Sequence, residues 1–383
     1  MTSTPLATQF SYRDLAPRRT VLTRTLLWAW SGTLAVLIAS AAGWSIAHGA
    51  GDWRVFASAG ARVGTPELLA PPAAWQSFFY LPGAAWALAP FAHVPLATSF
   101  VVNGVLMLAC AAIAGLIAAR TYGLDRATAV GLYALWSPVV YAAAIIGQNA
   151  PFGLLLAQFA IAGMARNSVA LTALPIGLLL YKPTYALPMI ALLIVRSRWR
   201  ELAAIAATAL MWYGISVTAT GGDWDWPSTW AHLLATFAAG DFSVNAPFAI
   251  SLPGVLIRTG TSAMTAACIA FVVALVAAAA LRRASSAEAG SAAALIGLAL
   301  SPHAWAYDAA LALPMIAYAA ARLAEPARTR LLLGAAFIAP LFFASRQLNF
   351  NPLCLLVTGG AIAWCCARSW PAGERSRLGV PLR

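Results

Sequence analysis

Of the 383 residues, 61% are hydrophobic and 9% are charged, and the formal net charge is +12. Ordinary soluble domains are about one-quarter charged, so this balance excludes a soluble globular protein. It favours an all-α polytopic membrane protein whose basic loops, rather than a nucleic-acid surface, account for the positive charge.

In chain order, the tail 1–24 carries Arg13, Arg18, Arg19 and Arg24 ahead of an apolar run too long for a cleavable signal core, which reads as a retained first helix. Hydropathy predicts twelve spans, at about 25–47, 97–119, 127–144, 148–165, 168–182, 183–196, 199–219, 262–281, 287–301, 304–321, 328–345 and 350–368. With the amino terminus in the cytoplasm, nineteen of the 24 basic residues fall inside; Arg54, Arg62, Lys182, Arg258 and Arg346 remain outside. That asymmetry is what the positive-inside rule expects. It implies a multi-pass protein of the inner or plasma membrane with both termini, including the tail 369–383, in the cytoplasm.

Two outer segments are long. The first, 48–96, is apolar but broken by Pro71, Pro72, Pro82 and Pro90, which predicts helices lying along the interface. Were 77–92 to cross instead, every later orientation would invert. The second, 221–260, opens with "GGDWDWPSTW", whose aromatics suit an interfacial belt. Short paired helices turn back at "GQN", "YKP" and "SPH". Irregular backbone at membrane depth needs protein or water around it, so these turns are expected to line a cavity. The whole chain, 1–383, reads as a single integral membrane domain. Its five cysteines show neither metal-ligand spacing nor a disulfide framework.

The polar residues Asp52, Gln148, Asn149, Lys182, Asp223, Asp225, Asp241, His303 and Asp308 all fall on the outer side of this threading. Asp52, directly after the first helix, suits a general base; it equally suits an N-cap for a helix over 53–63. Lys182 is the one lysine in the chain, flanked by apolar sequence in "LLLYKPTYALP". An ammonium there calls for a phosphate or carboxylate partner, or else snorkels to the headgroups. In "SPHAWAYD", Pro302 breaks a helix and brings His303 and Asp308 to the tip of a re-entry; the plainer alternative is a kink with His303 bonded to backbone. Gln148 and Asn149 offer uncharged donors and acceptors for sugar hydroxyls or phosphate. Asp223 and Asp225 have a spacing a divalent ion uses, but no third ligand accompanies them, which favours solvated loop acids. Arg54, Arg258 and Arg346 suit phosphate or headgroup contact.

Taken together, the Asp past helix one, "FFYLP", "GQN", "YKP" with "RSRWR", and "SPHAWAYD" resemble glycosyltransferase family 87 from about residue 52 to 314. The resemblance implies a GT-C bundle with an extracytoplasmic site that moves a sugar, mannose at family level, from polyprenyl phosphate to a lipid or glycan hydroxyl in cell-envelope glycolipid synthesis. It implies Asp52 as the catalytic base, Lys182 and His303 on the donor phosphate, and Asp308 orienting the site or balancing charge; the outer cations Arg258 and Arg346 are further candidates for the donor phosphate. Gln148, Asn149 and Asp308 would serve the sugar or acceptor, with Trp53, Tyr80, Trp305 and Tyr307 as aromatic contacts. Where the family often has Asp-Phe and a Tyr-Pro-Pro-like segment, this chain has Asp52-Trp53 and "YLPG". No cofactor beyond the lipid-linked donor and no bound metal is implied. The partners expected are that donor, the acceptor and membrane lipids, without nucleic acid. A secondary transporter with a broken-helix polar site is the rival reading.

Overall fold

The computed structural model describes residues 12–71, 73, 76–244, 248–301, 303–338 and 351–369. Among these, regular structure is helical apart from one isolated bridge between Ala249 and Trp305. The α-helices are α1 (Tyr12–Ala47), α2 (Trp53–Ala61), α3 (Leu96–Tyr122), α4 (Arg126–Val130), α5 (Pro138–Ile146), α6 (Ala150–Ala165), α7 (Val169–Leu179) and α8 (Pro183–Val195). They continue as α9 (Trp199–Ala219), α10 (Trp226–Val244), α11 (Leu252–Arg258), α12 (Ala263–Arg283), α13 (Ser286–Leu300), α14 (Leu313–Arg322), α15 (Ala327–Ala336) and α16 (Leu353–Ser369).

Four described helices are long and apolar enough to cross a membrane: Thr25–Ala47 within α1, α3, α9 and α12. A fifth span forms if 126–135 and α5, bent by 41° at their junction, are taken together. The long helices leave Trp28, Val36, Val105, Leu210, Met264 and Phe271 exposed. Contiguous apolar faces of that kind suit lipid rather than water.

The remaining apolar helices are shorter, for identifiable local reasons. The stretch expected to cross at 127–144 passes through a π-helical turn, Gly131–Leu135, and restarts at Pro138, because proline suits a first helical turn whereas in a helix interior it costs a hydrogen bond. The stretch at 304–321 divides into a 3₁₀ turn, Ala306–Ala312, and the ten-residue α14. Residues 77–92 form two 3₁₀ turns, Pro82–Ala87 and Ala89–His93, each with proline at its start, and no membrane-length helix. Part of the expected span 328–345 lies outside the described residues.

The buried centre is α6, which packs on α3, α7 and α13. Its approach to α7 depends on Gly163, where a Cβ would stand 2.4 Å from the Leu171 carbonyl carbon. Small residues at helix contacts are the usual means of close packing in lipid. Away from the turns discussed below, the bundle is tied by buried polar groups. The Tyr122 and Ser291 hydroxyls are 2.8 Å apart, and Tyr133 donates to Gln158 at 2.8 Å. Glu288, in the first turn of α13, accepts from the Tyr318 hydroxyl and the Trp364 indole, both at 3.0 Å. A carboxylate there also gains from the positive end of its helix.

Candidate active site

The site begins with two glycine turns that touch. Gly51 and Gly147 both have positive φ, +53° and +81°, which glycine tolerates and L side chains rarely do. Each also has backbone where a side chain would go: a Cβ on Gly51 would lie 2.9 Å from the Ile146 carbonyl oxygen, and one on Gly147 2.6 Å from the Trp53 Cβ. The contact is sealed by the Asp52 amide, which donates to the Ile146 carbonyl at 3.0 Å. The residue after each glycine therefore faces the other turn. Gln148 Nε2 donates to Asp52 Oδ2 at 2.6 Å, a short charge-assisted bond.

Asp52 occupies the N-cap position of α2, as its place in the chain suggests, but its side chain makes no capping bond. The carboxylate is turned toward Gln148 instead. Burial lifts its pKa above the ordinary 3.8, opposed by the Gln148 hydrogen bond and by the charge of Lys182. Gln148 is itself buried, and its Oε1 accepts from the Tyr80 hydroxyl at 3.0 Å. Because a carboxylate only accepts, the amide nitrogen must face Asp52 and the amide oxygen Tyr80. Burial raises the Tyr80 pKa well above 10.0, so it remains a protonated donor.

The second part is a buried ion pair. Lys182, between α7 and α8, puts its ammonium 2.7 Å from Asp308 Oδ1. Lys182 is 8% exposed and Asp308 1%, so the lysine is paired inside the protein rather than extended to headgroups. Tyr185 completes the cluster, accepting from Lys182 at 2.9 Å and donating to the same Asp308 oxygen. The other carboxylate oxygen, Oδ2, accepts the Trp305 amide at 2.8 Å, which closes the first turn of the 3₁₀ segment. Tyr185, Tyr307 and Tyr80 surround the ammonium with ring centroids 4.2, 5.4 and 5.8 Å away. Tyr80 stacks on Tyr181, whose hydroxyl reaches Asn149 Oδ1 at 3.3 Å. The "GQN", "YKP" and "SPHAWAYD" turns thus meet in one place.

His303 lies at the rim of this cluster. Its backbone bonds reciprocally with Ser301, and its ring packs against Trp305 and Phe237 at 5.2 and 5.5 Å. His303, Asp308, Tyr185, Thr184 and Ser301 line one pocket. The chain beyond α10 also converges here, since the Ile250 amide donates to the Ala304 carbonyl at 2.9 Å.

Several expected contacts fall elsewhere. Trp53 is 2% exposed in the packing beneath α2, its indole N–H given to Ser99 at 2.8 Å. Arg258 stands in the last turn of α11 and is not among the residues lining the His303 pocket. Arg346 and Pro302 lie outside the described residues. Asp223 Oδ1 accepts the Asp225 amide at 2.8 Å in a local turn, and among the described residues no three His, Cys, Asp or Glu side chains gather as for a metal ion. Tyr181 and Tyr185 were not anticipated. Their signal was the pair of tyrosines bracketing the lone lysine in "YKPTY".

A helical membrane protein with a half-buried carboxylate beside a buried ion pair has the build of a membrane-embedded enzyme. The chain matches glycosyltransferase family 87 over residues 78–302, more than half its length, and belongs to that family. It is therefore a glycosyltransferase. The matched stretch contains Tyr80, Gln148, Asn149, Lys182 and Arg258, and stops short of Asp52 and of His303 to Asp308. No curated protein and no solved structure matches the chain.

Proposed function

We propose that the protein transfers a sugar, mannose as the family-level choice, from a polyprenyl-phosphate carrier to a hydroxyl of a lipid or glycan acceptor. The observation that carries this reading is the Asp52 carboxylate, held by Gln148 and facing the site that contains Lys182. The acceptor hydroxyl gives its proton to Asp52 as its oxygen attacks the anomeric carbon. The bond from that carbon to the phosphate oxygen breaks, and polyprenyl phosphate leaves with the electron pair. A phosphate needs no protonated acid to depart, so one carboxylate suffices, and direct displacement inverts the anomeric centre.

Lys182 and His303 are the proposed phosphate contacts. An ammonium carries three donors; Asp308 and Tyr185 take two, which leaves one for a phosphate oxygen. In this reading Gln148 acts through Asp52 as a positioning residue, while Asn149, Trp305 and Tyr307 remain candidates for sugar or acceptor contact. Arg258 and Arg346 stay candidates for the outer phosphate environment. The bundle is read as GT-C with about twelve crossings, the shorter helices included, with residues 48–96 and 221–260 outside and both termini in the cytoplasm. The positive-inside count supports that orientation, and family membership supports a transferase over a transporter.

The test uses purified protein in lipid with a panel of polyprenyl-phosphate sugars and membrane extract as acceptor, following release of polyprenyl phosphate. Wild type should release it, Asp52→Asn should not, and the product should carry the inverted linkage. Undiminished release by Asp52→Asn, or a retained anomeric configuration, removes Asp52 from the role of simple base.

A further inference from the structure

The pocket at His303 continues into a larger one. Thr184, Pro188, Gly297 and Ser301 line both. The second is a trough of about 310 Å³ between α8, α12 and α13, ending at Val195 and Leu281. That size lies within the range of ligand sites, about 300–1,000 Å³. From Thr184 to Val195 the helix rises 1.5 Å per residue, so the trough runs for about 16 Å. Apart from the hydroxyls of Thr184 and Ser301 its lining side chains are hydrocarbon, and both hydroxyls stand at the end shared with the His303 pocket. Alanines 274, 277 and 278 of α12 keep it open, while Gly297 lets α13 close against Pro188, where a Cβ would meet the Pro188 Cγ at 2.2 Å. The Thr184 hydroxyl is buried and lacks a hydrogen-bond partner. An unsatisfied buried hydroxyl is costly, and rotation of the Thr184 side chain would bring it to a ligand oxygen at this junction.

We infer that this trough holds the isoprenoid chain of the lipid-linked donor, with its phosphate end at Thr184 and Ser301 and its chain running along α8 toward Val195. The inference rests on the lipid-donor reading above. Continuity selects this occupant over bulk phospholipid: a chain lying here has its head at the pocket lined by His303 and Asp308, beside the proposed phosphate contacts, and the polar groups occur at that end alone.

The experiment uses the full chain in nanodiscs and an isoprenyl phosphate carrying a photoreactive group near its second isoprene unit. Labelled peptides should come from α8, α12 and α13, and excess unlabelled polyprenyl phosphate should suppress them while phospholipid does not. Ala278→Phe, which narrows the trough away from the polar groups, should raise KM for a long-chain donor roughly tenfold, with little change in kcat and none in KM for a donor bearing one isoprene unit. Ala191→Phe at the exposed rim serves as the second variant should Ala278→Phe misfold. Labelling elsewhere, equal suppression by phospholipid, or unaltered chain-length dependence in both variants overturns the inference alone. A wild type that turns over no lipid-phosphate donor overturns the proposed function and, with it, this inference.

Discussion

Replacing Gln148 by leucine removes the hydrogen bond that holds Asp52 while keeping a side chain of similar length in a buried position. The bond is 2.6 Å long and its acceptor is a carboxylate. Hydrogen bonds to charged groups contribute about 1.5–3 kcal/mol. At 1.36 kcal/mol per factor of ten, losing that positioning in the transition state lowers kcat/KM roughly ten- to a hundredfold. The variant should also change the pH dependence. In the proposed role Asp52 must be ionised, and burial already holds its pKa above 3.8. The Gln148 amide favours the charged form and pulls the other way. Without it the folded pKa rises further, so the acid limb of the kcat/KM profile moves to higher pH and the loss is greatest in acid. The assay is release of polyprenyl phosphate across a pH series, with thermal melting as a check on folding. A variant that loses rate equally at every pH, or keeps the wild-type rate, refutes the claim that Gln148 acts through Asp52.

Tyr80→Phe should give a milder version, about two- to tenfold in kcat/KM, since it removes a neutral hydrogen bond of about 0.5–1.5 kcal/mol that only orients the amide. Adding it to Gln148→Leu should cost little more in the same assay. Asp308→Ala leaves a buried ammonium unpaired and should destabilise the fold by about 3–5 kcal/mol, visible as a lower melting temperature. The double variant Lys182→Met with Asp308→Leu should recover much of that stability while remaining inactive; recovered activity would show the pair to be purely structural. Gly147→Ala should cost at least about 1–2 kcal/mol for left-handed backbone, besides forcing Trp53 aside, and should lower activity together with stability.

Much of the candidate site was legible because a chain so poor in charge makes its exceptions conspicuous. The lone lysine, the acid after the first helix and the His–Asp turn all belong to the cluster or its rim. Their pairings were not legible. Nothing in the local sequence of Lys182 points to a residue 126 positions away, and whether Asp52 caps α2 or faces Gln148 depends on the turn at Gly147. The membrane architecture was readable in kind but not in detail. Hydropathy windows sense composition and are blind to the breaks that Ser137–Pro138 and the capped 3₁₀ turn at Asp308 impose. Trp53 illustrates the same gap: an aromatic beside a catalytic candidate reads as a ligand contact until Ser99, 46 positions away, claims its indole N–H.

The backbone clasp between Gly51–Asp52 and Ile146–Gly147 also has a consequence for biogenesis. Asp52 leaves the ribosome long before the turn that orients it, and Asp308 emerges last of all. During synthesis, therefore, the nascent protein already carries its acid but lacks the amide and the ammonium–carboxylate pair that give it a setting. On the proposed reading, catalytic competence arrives late, as a property of the finished bundle, and a chain released before Asp308 is made would lack the ion pair that Lys182 needs.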